Sequence, residues 1–161
     1  MRARDLVTEL SDLMRYALRA GQQERVLLQE ELEVIESYLR IEQARFEDRL
    51  TWRVDADEAV RQTQLPPMLL QMLVENAVKH GVATSEHGGE VVVSACRNGD
   101  GVRLMVTNPG RMSVNGGTRI GIANARGRLK LIYGGRAELT LAERDGHVVA
   151  EVVLPIGDTL R

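Results

Sequence analysis

Cysteine is nearly missing from this chain: Cys96 stands alone among 161 residues. It cannot close an internal disulfide, no metal centre can be built on thiolates, and a reducing compartment is the expectation. An excess of one charge is missing too. Lys and Arg number 21 against 23 Asp and Glu, for a formal net charge of -2. That balance leaves no basic footprint for nucleic acid and no cationic cluster for a membrane surface. No apolar run nears the ~18 residues of a membrane span. The N-terminal MRARDLVTELSD lacks the apolar centre of a secretion signal. These absences give a soluble, cytoplasmic chain as the expectation. The HExxH pair, the nucleophile elbow and the Walker-type Gly-Lys-Ser/Thr loop are absent as well. His80, His87 and His147 are scattered without triad-like company, which argues against metalloprotease and hydrolase chemistry.

What is present falls into two parts. Residues 1–48 contain one Gly, Gly21, and no Pro, and carry a helical rhythm. Leu6, Leu10, Leu13 and Ala17 make one stripe and Leu28, Leu32, Ile35 and Leu39 another, at alternating spacings of four and three. A break near Gly21 turns them into a helical hairpin, either packed on the main core or serving dimerisation or docking. Residues 49–161 read as mixed α/β. LTWRVD alternates like a strand, and Pro67 suits the first turn of a helix of about fifteen residues that ends at Gly81 as a C-cap. EVVVSACR and VRLMVTN form a hairpin about Asn98-Gly99-Asp100-Gly101; AELTLAE and HVVAEVVLPI form another about Asp145-Gly146. Between them a Gly-rich loop leads into a helix over IGIANARGRLKLIYG. The expected class is α+β: an antiparallel-leaning sheet with helices on one face, the other face open or under the N-terminal hairpin.

Three stretches carry candidate chemistry. In LVENAVKHG, a helical wheel places Leu69, Met72, Leu73 and His80 within about 60° of Asn76, with Lys79 at the edge. Asn76 therefore lies on or beside a buried face, where an unpaired amide costs about 1–3 kcal/mol. Either the backbone satisfies it, or its oxygen is a ligand for Mg²⁺, whose shell is completed by phosphates and water. Lys79 can hold a point charge near those phosphates or be a solvated helix-end lysine. His80 lines the ligand or merely finishes the helix. Glu75 can polarise a water or hydroxyl, or simply face solvent. In VTNPG, the Asn108 oxygen can accept from an exocyclic amine such as that of adenine, and Gly110 lets a ring approach the backbone. As a bare pattern it is also a common turn. In VNGGTRIGIAN, Gly121 before a helix start suits close approach of a phosphate to backbone N–H groups, with Arg119 or Asn124 reaching the same anion.

Together these stretches resemble the ATP-binding domain shared by histidine kinases, gyrase, Hsp90 and MutL. LPPMLLQMLVENAVKHG is similar to its Asn-containing box, VTNPG to its first Gly box and GTRIGIANARGRLKLIYG to its second. More narrowly, LSDLMRYAL, ELEVIESYLRIEQARF and LVENAVKHG resemble LytS-type sensor histidine kinases over nearly the whole chain. The resemblance implies a Bergerat-type ATP-binding sandwich of mixed sheet and helices behind an N-terminal helical hairpin. It implies ATP with Mg²⁺ at Asn76, phosphate contact from Lys79, adenine at Asn108, and a lid over roughly residues 110–121. Gly110, Gly117, Arg119, Gly121, Ile122 and Asn124 fall in the nucleotide-binding boxes; Glu75 and Asn76 are the implied catalytic pair. The implied partners are a phosphoacceptor His region and a response regulator, with a homodimer through the N-terminal helices and a parent anchored in the inner membrane.

Three departures from the family pattern bear on the expected activity. No His-Phe-Leu-Phe-Asn-like phosphoacceptor stretch is present, so the chain is expected to be an excised or naturally truncated catalytic portion that does not phosphorylate itself in cis. Asn108 stands where most members carry Asp, whose carboxylate would make a stronger, charge-assisted bond, and Arg119 stands where Gly is usual, so both positions bear on affinity and lid flexibility. Met72 occupies the position of the water-activating Glu of the superfamily's ATPases, which favours phosphotransfer over hydrolysis. Two other readings remain open: a stand-alone anti-sigma-type Ser/Thr kinase, and a degenerate module that binds a partner and no nucleotide.

Overall fold

The computed structural model describes residues 2–112 and 116–156, and of residues 116–119 the backbone alone. Two helices open the chain, α1 (Ala3–Ala20) and α2 (Leu28–Phe46), separated by a two-residue strand β1 (Val26–Leu27). Strands β2 (Leu50–Ala56) and β3 (Gln64–Leu65) follow, then α3 (Leu69–Ala77). The hairpin β4 (Gly89–Asn98) and β5 (Gly101–Pro109), helix α4 (Gly116–Tyr133), and the hairpin β6 (Glu138–Arg144) and β7 (His147–Pro155) complete it.

The main sheet has the order β2-β4-β5-β7-β6. Only β2 runs parallel to its neighbour, from Leu50 opposite Gly89 to Ala56 opposite Ala95, because α3 must be crossed before the chain returns beside it. The other pairings are antiparallel. Alternation then sorts the side chains. Val91, Val93, Val102, Leu104, Val152 and Leu154 are buried on one face; Ser94, Cys96, Arg103 and Met105 stay half-exposed on the other. An Arg103–Glu151 ion pair at 3.9 Å lies on that open face.

The second stripe seen in the sequence is the one that packs. Leu28, Leu32, Ile35 and Leu39 of α2 are no more than 1% exposed and join the same core as α3 and the sheet. Each such burial stabilises by about 1.5–3 kcal/mol. The hairpin thus lies on the helical side of the sheet, not on its open face. The first stripe is displaced from the expected one. Leu10 is 52% exposed and Ala17 is exposed, while α1 turns Leu6, Glu9, Leu13, Tyr16 and Ala20 inward. The cause is polar: Arg40 Nε reaches Glu9 Oε1 at 2.9 Å, and the Tyr16 hydroxyl donates to Glu31. These bonds rotate the helix away from a purely apolar seam.

Helix α3 also differs at both ends from the sequence expectation. It begins at Leu69, after Met68 in the left-handed region at φ 67, so Pro67 lies before the helix rather than in its first turn. At the far end Gly81 is not a left-handed C-cap. A π-turn over Val78–Val82 carries the chain past it. Gly81 is required for space, because a Cβ there would lie 2.7 Å from Asn108 Cγ. No described helix is long and apolar enough to cross a membrane.

Candidate functional site

A cavity of about 460 Å³, counting its open mouth, lies between α3, α4 and the ends of β5, β6 and β7. Its walls are mainly apolar: Leu73 and Ala77 from α3, Val106 from β5, Ile122 from α4, with Leu141, Val148 and Ala150 from the second hairpin. Two amides interrupt this lining. Asn76 and Asn108 face the same space from elements 32 residues apart in sequence (108 minus 76). His80, Arg111 and Met112 complete the rim.

Each polar group is placed by a local cause. Asn76 sits half-buried near the end of α3, on the wheel position that continues the Leu69, Met72, Leu73 face. Among the described residues its side chain forms no hydrogen bond. The π-turn that follows widens the helix by one residue per turn and keeps His80 at the cavity. Asn108 is 6% exposed; its Nδ2 donates to Pro109 O at 2.9 Å, and its flank rests on Gly81. The segment beyond is tied to the second hairpin: Gly110 N–H donates to Gly146 O at 2.9 Å, and Met112 N–H to Glu143 Oε1 at 2.5 Å. Gly110 holds φ 121, a conformation that favours glycine.

Of the residues singled out in the sequence, Asn76, His80, Asn108 and Ile122 meet at the cavity. Glu75 is exposed and held by Gln71 Nε2 at 2.9 Å, away from the cavity lining. Lys79 and Asn124 are exposed and do not line it. Helix α4 starts at Gly116, four residues before the expected start at Ile120. Gly121 is therefore inside the helix, where a Cβ would lie 3.7 Å from Met72 Sδ. The N–H groups left without helical partners belong to the first turn, residues 116–119. Gly117 and Arg119 lie in that turn, where side chains fall outside the described residues. Part of the expected lid, residues 113–115, also lies outside them.

The sequence reading held Arg111 and Met112 only as part of the lid, without singling them out, and missed the whole β6–β7 wall. That wall follows from register, since Val148 lies opposite Asn108 and Ala150 opposite both Val106 and Leu141. The available signal was the alternation of HVVAEVVLP, but it does not say which strand is the neighbour.

Comparison with known proteins bears on this arrangement. A family profile described as histidine kinase matches residues 1–50. The chain is 38% identical over 143 residues to the sensor histidine kinase YpdA of Escherichia coli K12, covering 82% of this chain and 25% of that protein. It is 29% identical over 169 aligned positions to the sensor histidine kinase/phosphatase LytS of Staphylococcus aureus, covering 96% of this chain and 29% of LytS. The nucleotide-free catalytic domain of the histidine kinase ThkA superposes with a TM-score of 0.62 at 14% identity, over 82% of this chain and 94% of that one. A histidine kinase domain from Erythrobacter litoralis EL346 gives 0.59 at 19%, over 95% and 74%. These structures establish the fold, that of a histidine kinase catalytic domain. The similarity to these sensor histidine kinases and the shared fold support a LytS-type histidine kinase catalytic domain. The chain spans about a quarter of the length of the curated relatives it matches.

Proposed function

We propose that this chain is the ATP-binding catalytic portion of a two-component sensor histidine kinase, presenting the γ-phosphoryl of Mg²⁺-ATP to a histidine outside the chain. The supporting observation is the convergence of Asn76 and Asn108 on one apolar cavity, with the Asn76 side chain making no hydrogen bond to a described residue. A half-buried amide with no partner among the described residues retains its capacity for a ligand. The lining is the kind that suits a small organic ligand, mainly apolar with a few polar groups fixing orientation.

The residues present fit the nucleotide. Apolar Val106, Ile122, Leu141 and Ala150 would enclose the base and exclude water, and Asn108 would accept from its exocyclic amine. Asn76 would hold the cation by its amide oxygen, an oxygen donor of the kind Mg²⁺ takes. The first-turn N–H groups of α4 would meet the phosphates, in place of the Gly121 N–H expected from the sequence. Lys79, exposed at the π-turn, would add a point charge from outside. When bound, Mg²⁺-ATP supplies the transferable phosphoryl group and the charge neutralisation on which such transfers depend. Met72 offers no base to activate a water, so hydrolysis stays slow.

In the intact system the phosphoryl group would pass on to a response regulator. ThkA has been solved in complex with the response regulator TrrA, over 96% of this chain's length. Pairing of two copies through α1 belongs to the same reading: Val7, Leu10, Met14 and Leu18 are each more than half exposed and share one face of the helix.

Calorimetric titration with ATP, with and without Mg²⁺, tests the assignment. Wild type is expected to bind in a magnesium-dependent manner, and Asn76→Ala to lose that dependence. Unchanged magnesium dependence in the variant overturns the role of Asn76, and absence of binding by wild type at near-millimolar ATP favours the partner-binding module.

A further inference from the structure

The first turn of α3 lacks a cap of its own. Pro66-Pro67 precede it, Met68 at the N-cap position sits at φ 67 and makes no side-chain capping bond, and the first turn carries no acidic residue. Helices leave four N–H groups unsatisfied at this end, and here the end is buried. The missing acceptor comes from 39 residues away: Leu70 N–H donates to Glu31 Oε1 at 3.2 Å. Glu31 is fully buried, at 0% exposure.

The other oxygen of the same carboxyl accepts from the hydroxyl of Tyr16 in α1, itself only 5% exposed. From α4, Arg128 adds its charge in the field of Glu31 and donates to Pro67 O at 2.9 Å. One side chain thus joins α1, α2, the start of α3 and, through Arg128, α4. A buried acid with two donors, one of them at a helix N-terminus, depends on both, and losing one leaves buried polar groups at the full cost of desolvation.

We infer that Glu31 and Tyr16 are positioning residues for the Asn76 site: Glu31 caps α3 in trans, and Tyr16 makes the placement of α3 depend on the placement of α1. Helix α3 is nine residues long, so Leu70 and Asn76 ride on one short rod. A change in the seat of α1 that withdraws the Tyr16 hydroxyl loosens the Glu31 cap and shifts the amide at the other end. This inference rests on the nucleotide reading of the cavity for its consequence but not for its geometry.

The test pairs hydrogen exchange of the nucleotide-free chain with Mg²⁺-ATP titration for wild type, Tyr16→Phe, Glu31→Gln and Glu31→Leu. Glu31→Leu is expected to lose amide protection from Leu70 through Asn76 and about tenfold in affinity, the effect of one lost buried cap. Glu31→Gln, which keeps an acceptor oxygen, should restore most of both. Tyr16→Phe should lower protection along the same stretch while leaving the fold intact, and it decides the matter if Glu31→Leu does not fold. Protection lost only at Met68–Leu70, or affinities equal across wild type and variants, overturns the coupling. Failure of wild type to bind Mg²⁺-ATP overturns the nucleotide reading instead, and the exchange pattern still judges the cap.

Discussion

Gly81→Ala offers a clean contest between two effects of known size. At a helical position with ordinary φ, replacing Gly by Ala stabilises by about 0.8–1 kcal/mol through backbone entropy. Against this stands Asn108, whose Cγ would lie 2.7 Å and Cβ 3.0 Å from the new methyl. Rotating the terminal amide cannot relieve contacts to Cγ and Cβ, so Asn108 or the π-turn must move. Overpacking of this kind costs about 1–3 kcal/mol, which makes the net change a destabilisation of up to about 2 kcal/mol. In an Asn108→Ala background only the Cβ contact remains, and the same substitution should become neutral or stabilising. Urea unfolding of wild type, both single variants and the double variant gives the coupling energy, expected at about 1–2 kcal/mol. Additive losses, with Gly81→Ala equally harmful in both backgrounds, would refute the packing argument and return Gly81 to a backbone role.

Two further outcomes follow from the same structure. Burial holds the Glu31 carboxyl above its usual range, against the opposing bonds from Tyr16 and Leu70 and the charge of Arg128. A raised carboxyl favours the protonated fold, so its contribution is full below about pH 4.5 and is lost as pH rises through the folded-state value. Wild type should therefore lose stability relative to Glu31→Gln as urea unfolding is repeated from pH 4 upward, and a flat difference would count against the burial of that group. Gly88→Ala should cost more than about 2 kcal/mol, since φ is 71 and a Cβ would lie 2.6 Å from the backbone carbonyl carbon of Arg49. Gly99→Ala, at φ 59 with nothing within 4 Å, should cost about 1 kcal/mol, and equal losses at the two sites would show that strain rather than contact dominates.

Both hairpins were legible because their turns carry the residues that turns demand, Asn98-Gly99 and Asp145-Gly146, between alternating strands. The α2 stripe was legible because four aliphatic residues in heptad-like spacing have few other uses. The face of α1 was not, because Glu9 and Tyr16 choose their partners in α2 and composition alone favours Leu10. Nor was the parallel pairing of β2 with β4, which depends on where α3 places the returning chain. At the site, Asn76 and Asn108 were visible as amides in apolar company. The widening of the helix at Val78–Val82, the earlier start of α4, and the contribution of β6 and β7 arise only when distant segments meet. Glu31 read as an ordinary polar residue of an amphipathic helix, since nothing local marks it as the cap of another.

The cavity borrows its walls from α3, β5, α4 and the last hairpin, so no partially assembled chain possesses it. Anything that fits there selects against every incomplete form. By mass action, a ligand at a hundred times its dissociation constant raises the unfolding free energy by about 2.7 kcal/mol. Thermal melting in the presence of candidate compounds would thus read occupancy of this space directly, with no phosphate acceptor needed.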